Sequence, residues 1–138
     1  MLKQLSVFVE NEIGSLSKVT AVLKENGINL RAIASFDSPE FGILRLIVDK
    51  PDLTKDILTQ KGFVVKVTEV LAVELQDKPG NLDKVLHIIS EAGICINYIY
   101  SFVIRTEKVP LMVMHADDMG KAEAILKQHD IRVADEED

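Results

Sequence analysis

Residues 5–36, LSVFVENEIGSLSKVTAVLKENGINLRAIASF, lie without a gap over residues 71–102, LAVELQDKPGNLDKVLHIISEAGICINYIYSF. Twelve of the 32 positions are identical. Chance would give roughly two at ordinary residue frequencies. The matches include Gly14 with Gly80, Leu16 with Leu82, Gly27 with Gly93 and Phe36 with Phe102. The frame continues through Ile43 and Val109 to Lys55 and Lys121, then takes two extra residues in the second copy to place ILTQKGFVV over ILKQHDIRV. The chain is thus two copies of one unit, and a fixed internal repeat is the first constraint on the fold.

Within a copy the hydrophobic period changes in order. Leu5, Val7 and Val9 alternate as in a half-buried strand, and Leu16, Val19 and Leu23 then recur at helical spacing up to ENGI, where Gly27 suits a left-handed helix end. INLRAIASF and FGILRLIVD follow as β-rich segments around a Ser-Pro turn, which predicts a hairpin. PDLTKDILTQKG reads as a helix opened by Pro-Asp and closed at Gly62, and FVVKV as a last strand. The second copy repeats the order through Leu71–Gln76, Leu82–Ala92, Ile94–Val103, Val109–His115, Met119–Gln128 and Ile131–Val133. Each unit is expected to be βαββαβ, a ferredoxin-like α+β arrangement with an antiparallel sheet and helices on one face. The units are assigned to residues 1–68 and 69–138.

Composition limits what such units can do. The chain has 138 residues, 47% of them hydrophobic, enough for a real core. It has no 18-residue apolar span, and MLKQLSVFVEN lacks the charged, apolar and small-residue regions of a signal peptide, so a cytoplasmic location is expected. The net charge of −6 argues against nucleic acid and anionic membrane as partners. Cys95 is the single cysteine, which excludes an intrachain disulfide and is read as a buried small hydrophobe. His87, His115 and His129 form no ligand spacing and are read as surface residues, so no metal site, cofactor or catalytic residue is expected. Met112 and Met114 are read as core. An acylphosphatase-like enzyme would need an anion-binding Arg in the first turn, whereas Arg31 and Arg105 fall in second-strand regions; an RNA-binding module would display aromatics on its central strands, whereas LSVFVE and GILRLIVD are mostly aliphatic; and a copper chaperone would carry a CxxC motif, which is absent.

The repeated corner after the first strand is the candidate site. Gly14 and Gly80 let the backbone turn closely, and Ser15 and Asn81 are expected to cap the helices that follow. The amide groups at such a helix start, with the positive end of its dipole, can take a carboxylate. Asn11 and Asp77, three residues before each glycine, would stand beside it and accept from an ammonium. A carboxylate receptor next to an ammonium acceptor is the minimum for a free α-amino acid, although the same residues are also ordinary turn formers.

The motifs ENEIGSLSKVTAVLKENGINL and QDKPGNLDKVLHIISEAGICI resemble the ACT domain, a regulatory amino-acid-binding module with this element order, over essentially the whole chain. In amino-acid-binding members the effector sits where two ACT units meet along their second strands. The resemblance implies that Asn11 and Asp77, with Ile13, Gly14, Ser15, Leu16, Lys78, Pro79, Gly80, Asn81 and Leu82 of the same loops, hold the ligand. It also matches Asn29 to the family's Asn at the start of the second strand. The second copy carries Cys95 there, with Asn97 two residues on and, by strand alternation, on the same face. Asp77 offers a charge where Asn11 is neutral, so the second loop is expected to bind better, helped by the stiffening Pro79.

The connection FVVKVTEVLAVEL leaves only about Thr68 and Glu69 between the last strand of one unit and the first strand of the next. Joining the two second strands within one chain would separate those connected strands by roughly 29 Å, six spacings of about 4.8 Å, whereas two residues reach roughly 7 Å. Either the last strands are exchanged, which is the favoured arrangement, or the second strands meet between chains; a homodimer is expected in both cases. The function expected is a non-catalytic amino-acid sensor acting on a partner such as a metabolic enzyme. The competing expectation is a protein-interaction module without a ligand.

Overall fold

The computed structural model describes residues 1–38, 41–76, 78–102 and 110–135. Its elements are β1 (Leu2–Glu10), α1 (Ser15–Glu25), β2 (Leu30–Asp37), β3 (Phe41–Val48), α2 (Pro51–Gln60), β4 (Val64–Glu74), α3 (Asn81–Glu91), β5 (Ile96–Ser101), β6 (Leu111–Ala116), α4 (Met119–Gln128) and β7 (Val133–Ala134). The chain divides into two compact units, Lys3–Thr68 and Glu69–Asp138, the latter joined by Met1–Leu2. Both are α+β with antiparallel strands.

In the unit Lys3–Thr68 the strand order is β2-β3-β1-β4. β1 pairs with β3 from Leu5↔Leu46 to Glu10↔Phe41, and β3 pairs with β2 on its other side. Alternation places Leu5, Val7 and Val9 with Leu44, Leu46 and Val48 on one face, where they meet Val19, Val22 and Leu23 of α1 and Leu58 of α2. The helical spacing of those α1 residues and the period-two spacing of the strands therefore bury one common core. Each such side chain, removed from water, contributes about 1.5–3 kcal/mol.

The unit Glu69–Asp138 repeats the plan. β6 pairs with β4 from Leu71↔Met114 to Glu74↔Leu111 and with β5 on its other side. Its core joins Leu71, Val73 and Met114 to Val85, Ile89 and Leu126 of the helices, with Met112 half-buried against it. The methionines fill the core as expected. The predicted strand Ile94–Val103 is shorter, Ile96–Ser101, and Val103 and Val109 lie outside the described residues.

Two expectations about the connection are corrected. Thr68 and Glu69 do not link two strands, because β4 runs unbroken from Val64 to Glu74 through them. Nothing in VVKVTEVLAVE interrupts a strand: it has no Gly or Pro, and six of its residues are Val or Thr, which favour extended backbone. Among the described residues strand exchange is not found either. The last strand, β7, pairs inside its own unit, Ala72↔Ala134 and Val73↔Val133.

Candidate ligand-binding site

The two corners close in the same way. Gly14 (φ 84°) and Gly80 (φ 86°) sit at the helix N-caps in the left-handed region, and neither helix start carries a side-chain cap bond. Ser15 and Asn81, expected as caps, are instead the first helical residues. The left-handed glycine makes the reversal by itself, so its own carbonyl accepts the first helical bond, from Lys18 N at 3.0 Å and from Lys84 N at 2.9 Å. The next side chain then belongs to the first turn, not ahead of it, and cannot reach forward to the first amides. Asn81 reaches back and donates to the Gln76 carbonyl at 2.8 Å, closing the second loop. The N-cap glycines have no side chain to offer the first turns of α1 and α3; Ser15 N and Asn81 N donate to the Glu12 and Lys78 carbonyls at 3.2 and 3.3 Å, and the remaining first-turn amides, with the dipole, form an end suited to an anion. A Cβ at either glycine would meet no protein atom within 4 Å.

In the first loop Asn11 Nδ2 donates to the Asp37 carboxylate and, at 2.9 Å, to the Ser38 carbonyl. An ionised Asp37 can only accept, so the amide must present its nitrogen there and keeps Oδ1 as its acceptor. That geometry leaves Asn11 able to receive an ammonium proton while its donors hold the loop to the end of β2. A cavity of about 190 Å³ adjoins it, lined by Asn11, Ser15, Leu16, Phe36, Asp37 and Gly42 among others. Ile13 is fully exposed, and Leu16 and Leu82 are also exposed. Next to the loop the Glu10 carboxyl is held above its ordinary range, first by its hydrogen bond with Glu12 and then by repulsion from that carboxylate, with Lys18 pulling the other way. In the second loop Lys78 N donates to the Gln76 carbonyl at 2.8 Å, Lys78 and Pro79 are exposed, and Asp77 lies outside the described residues.

The second-strand residues stand elsewhere. Asn29 N donates to Asp49 at 3.0 Å, and Asp49 N to the Asn29 carbonyl at 3.1 Å. Cys95 and Asp117 make the same reciprocal pair at 3.1 and 3.0 Å. These pairs fix the start of β2 and the approach to β5. Asn11 meets the far end of β2, at Asp37, eight residues from Asn29, or roughly 26 Å at about 3.3 Å per residue. Asn11 and Asn29 are therefore not brought together within their unit. Cys95 is exposed, not buried, because it lies in the turn before β5, outside the alternating strand.

A register shift falls between Leu30 and Ala32 and, in the repeated position, between Ile96 and Tyr98. A bulge there breaks the alternation used to place Asn97 on the face of Cys95, so that expectation does not carry over. Asn97 Nδ2 lies 3.0 Å from His115 Nδ1, whose ring stacks on Tyr98 at 5.1 Å. His115 is thus half-buried against neighbours, unlike His87 and His129, which are exposed as expected. Asp37 had no signal in the repeat, since Val103 occupies its counterpart. Asp49 and Asp117 had none either, since the frame read from the sequence puts Asp49 over His115; the strand register, Leu5↔Leu46 against Leu71↔Met114, corrects that frame by placing the two extra residues before β3 and β6, which brings the two aspartates into one position.

Among the described residues no helix is long and apolar enough to cross a membrane. A Bacteroides thetaiotaomicron protein of known crystal structure is 37% identical and superposes with a TM-score of 0.89, covering 96% of this chain and 91% of its own. The ligand-free regulatory subunit of aspartate kinase from Thermus thermophilus shares the fold at 18% identity and a TM-score of 0.64, over 91% of this chain and 90% of that one. Its Thermus flavus counterpart matches at the same identity and score, over 91% and 88%. Among curated proteins none matches the chain. The family model described as an ACT domain pair matches residues 1–138, and the chain belongs to that family.

Proposed function

We propose that this ACT domain pair is a non-catalytic regulatory protein of the cytoplasm that binds a free amino acid at its strand-to-helix loops. One observation carries the reading: Asn11, anchored through its donors to Asp37 and Ser38, keeps an acceptor beside a helix start whose N-cap is a glycine without a side chain. An α-carboxylate suits the first-turn amides, and an α-ammonium suits Asn11 Oδ1 or, in the other loop, the carboxylate of Asp77. Ile13, Gly14, Ser15 and Leu16 frame the first loop, and Lys78, Pro79, Gly80, Asn81 and Leu82 the second. Asn29 is about 26 Å from its own loop by strand length, so it serves a ligand only from a second copy of the chain, and so do Cys95 and Asn97 at the start of their strand. A homodimer is part of the reading for that reason. The receiver of the signal is a partner such as a metabolic enzyme, because a ligand shifts only those states that it binds unequally.

A thermal-shift screen against the twenty amino acids tests this. A ligand at a hundred times its Kd stabilises the folded state by about 2.7 kcal/mol, a shift well within measurement. Stabilisation by one or a few amino acids is expected. If none stabilises the protein, the amino-acid reading fails and a protein-interaction module remains. Light scattering at micromolar concentration checks the dimer, and a strict monomer removes the role of Asn29.

A further inference from the structure

The same cleft occurs in both units, and its chemistry has diverged. In the unit Lys3–Thr68 it lies on the β4 side of the β1–α1 loop, holds about 380 Å³, and is lined by Phe8, Phe41, Phe63 and Val64, with Glu10 and Lys18 among its polar groups. In the unit Glu69–Asp138 a cleft of about 410 Å³ is lined by Glu74, Gln76, Lys84, Ile131 and Arg132 among others. These are the same places in the repeat. Glu74, Gln76 and Lys84 stand 66 residues after Phe8, Glu10 and Lys18, while Ile131 and Arg132 stand 68 after Phe63 and Val64, past the two extra residues.

The difference is concentrated at one pair. Glu74 and Arg132 form an ion pair at 2.9 Å, which fills that position with charge facing water. Phe8 and Val64 stand there in the first unit, 37% and 66% exposed, and Phe41 is also exposed with its ring 6.3 Å from that of Phe8. An ion pair is what a solvated rim asks for, and it shows that the fold does not require apolar residues there. Leaving two phenylalanines and a valine exposed around a concavity has a cost in water that a bound apolar group removes. The volume lies in the range of small-ligand clefts, which join apolar walls to a few polar groups.

We infer that the first-unit cleft binds a small primary ammonium compound with a large apolar body, an aromatic amino acid or amine, and that the second-unit cleft does not. The body packs against Phe8, Phe41, Phe63 and Val64. The ammonium is met by the carboxylates of Glu10 and Glu12, which also lines the cleft, and by the faces of the aromatic rings. Lys18, on the same cleft, distinguishes the two sources: it attracts the carboxylate of an amino acid and repels a plain amine. The cleft adjoins the Asn11 cavity and shares Val9, Glu10, Glu12 and Ser15 with it, but its apolar wall, Phe8, Phe41, Phe63 and Val64, does not line that cavity.

The test is calorimetric titration of the full chain with L-phenylalanine, 2-phenylethylamine and N-acetyl-L-phenylalanine. The variant Phe8→Glu/Val64→Arg installs the ion pair that the other unit already carries, so the fold is expected to be kept, which thermal unfolding checks. Phe8→Leu keeps an apolar wall. We expect L-phenylalanine to bind, the acetylated compound to bind at least tenfold more weakly, the double variant to lose at least tenfold, and Phe8→Leu to lose less than the double variant. Tighter binding of the amine than of the amino acid would support the cleft and name the amine as its ligand. Undiminished binding in the folded double variant would overturn the inference. Binding confined to small or charged amino acids and lost in Asn11→Ala would overturn it too, while leaving the loop reading standing. Absence of binding by any amino acid or amine would defeat both.

Discussion

Asn11 Nδ2 lies 2.9 Å from the Ser38 carbonyl and also donates to Asp37, so one amide ties the loop after β1 to the end of β2. The tie exists without any ligand, and removing it should register in stability as well as in binding. Asn11→Ala is expected to lower the unfolding free energy by about 0.5–1.5 kcal/mol, the range of a net hydrogen bond. Urea unfolding of the ligand-free protein measures it. An unchanged midpoint would mean that the amide contact is not populated in water, and Asn11 would then have no fixed orientation toward a ligand.

Gly14 and Gly80 separate strain from contact. Both have positive φ, and neither has an atom within 4 Å of where a Cβ would stand. Gly→Ala at either position should therefore cost only the left-handed backbone penalty, about 1–2 kcal/mol, with no clash added. Asn tolerates that region better, so Gly14→Asn should cost less than Gly14→Ala. Denaturation of the three variants decides it. Equal losses for Ala and Asn at position 14 would show that the backbone conformation is not the cause.

How much of this is legible in the chain can be judged residue by residue. Leu5, Val7, Val9 and Leu16, Val19, Leu23 carry periods of two and near four, and those periods are what each unit buries, so element order and core are legible. The corner at Gly14 is legible because only a few residue types accept positive φ. Three features are not. Thr68 and Glu69 read as a link, since a strand crossing from one unit into the next has the same local pattern as two strands with a short joint. Residue type makes Cys95 a buried hydrophobe, but its exposure depends on where β5 begins, two positions of uncertainty that decide its side. Alternation places Asn97 on the face of Cys95, and the bulge between Ile96 and Tyr98 that breaks this is set by pairing with β6, which no local pattern encodes.

Helix starts give a contrast inside one molecule. Asp118 caps α4 and accepts from Lys121 N at 3.0 Å. Ser15 makes no cap bond at α1. Asp118→Ala is expected to cost about 1 kcal/mol, and Ser15→Ala close to nothing, since alanine is at least as good inside a helix. Chemical denaturation of both variants is sufficient. A loss at Ser15 as large as that at Asp118 would return Ser15 to the capping role that the sequence suggests.

The Glu10 carboxyl, raised by its hydrogen bond with Glu12 and by that residue's charge, makes a pH-dependent contribution whose sign is fixed. The folded chain holds this proton to higher pH than the unfolded chain does. Between the ordinary carboxylate value and the raised one, the native state is therefore the one with more protons bound, and stability falls as pH rises through that window. Below it both states are protonated and the pair costs nothing; above it the full repulsion is present. Glu12→Gln removes the repelling charge, so its stability relative to the parent should climb across that window and level off at neutral pH. Both groups are exposed, so added salt should shrink the difference. Urea midpoints for parent and variant, taken from the carboxylate range to neutral pH at low and high salt, give the answer. A difference that does not change with pH across the window would show that the Glu12 charge does not act on the Glu10 carboxyl.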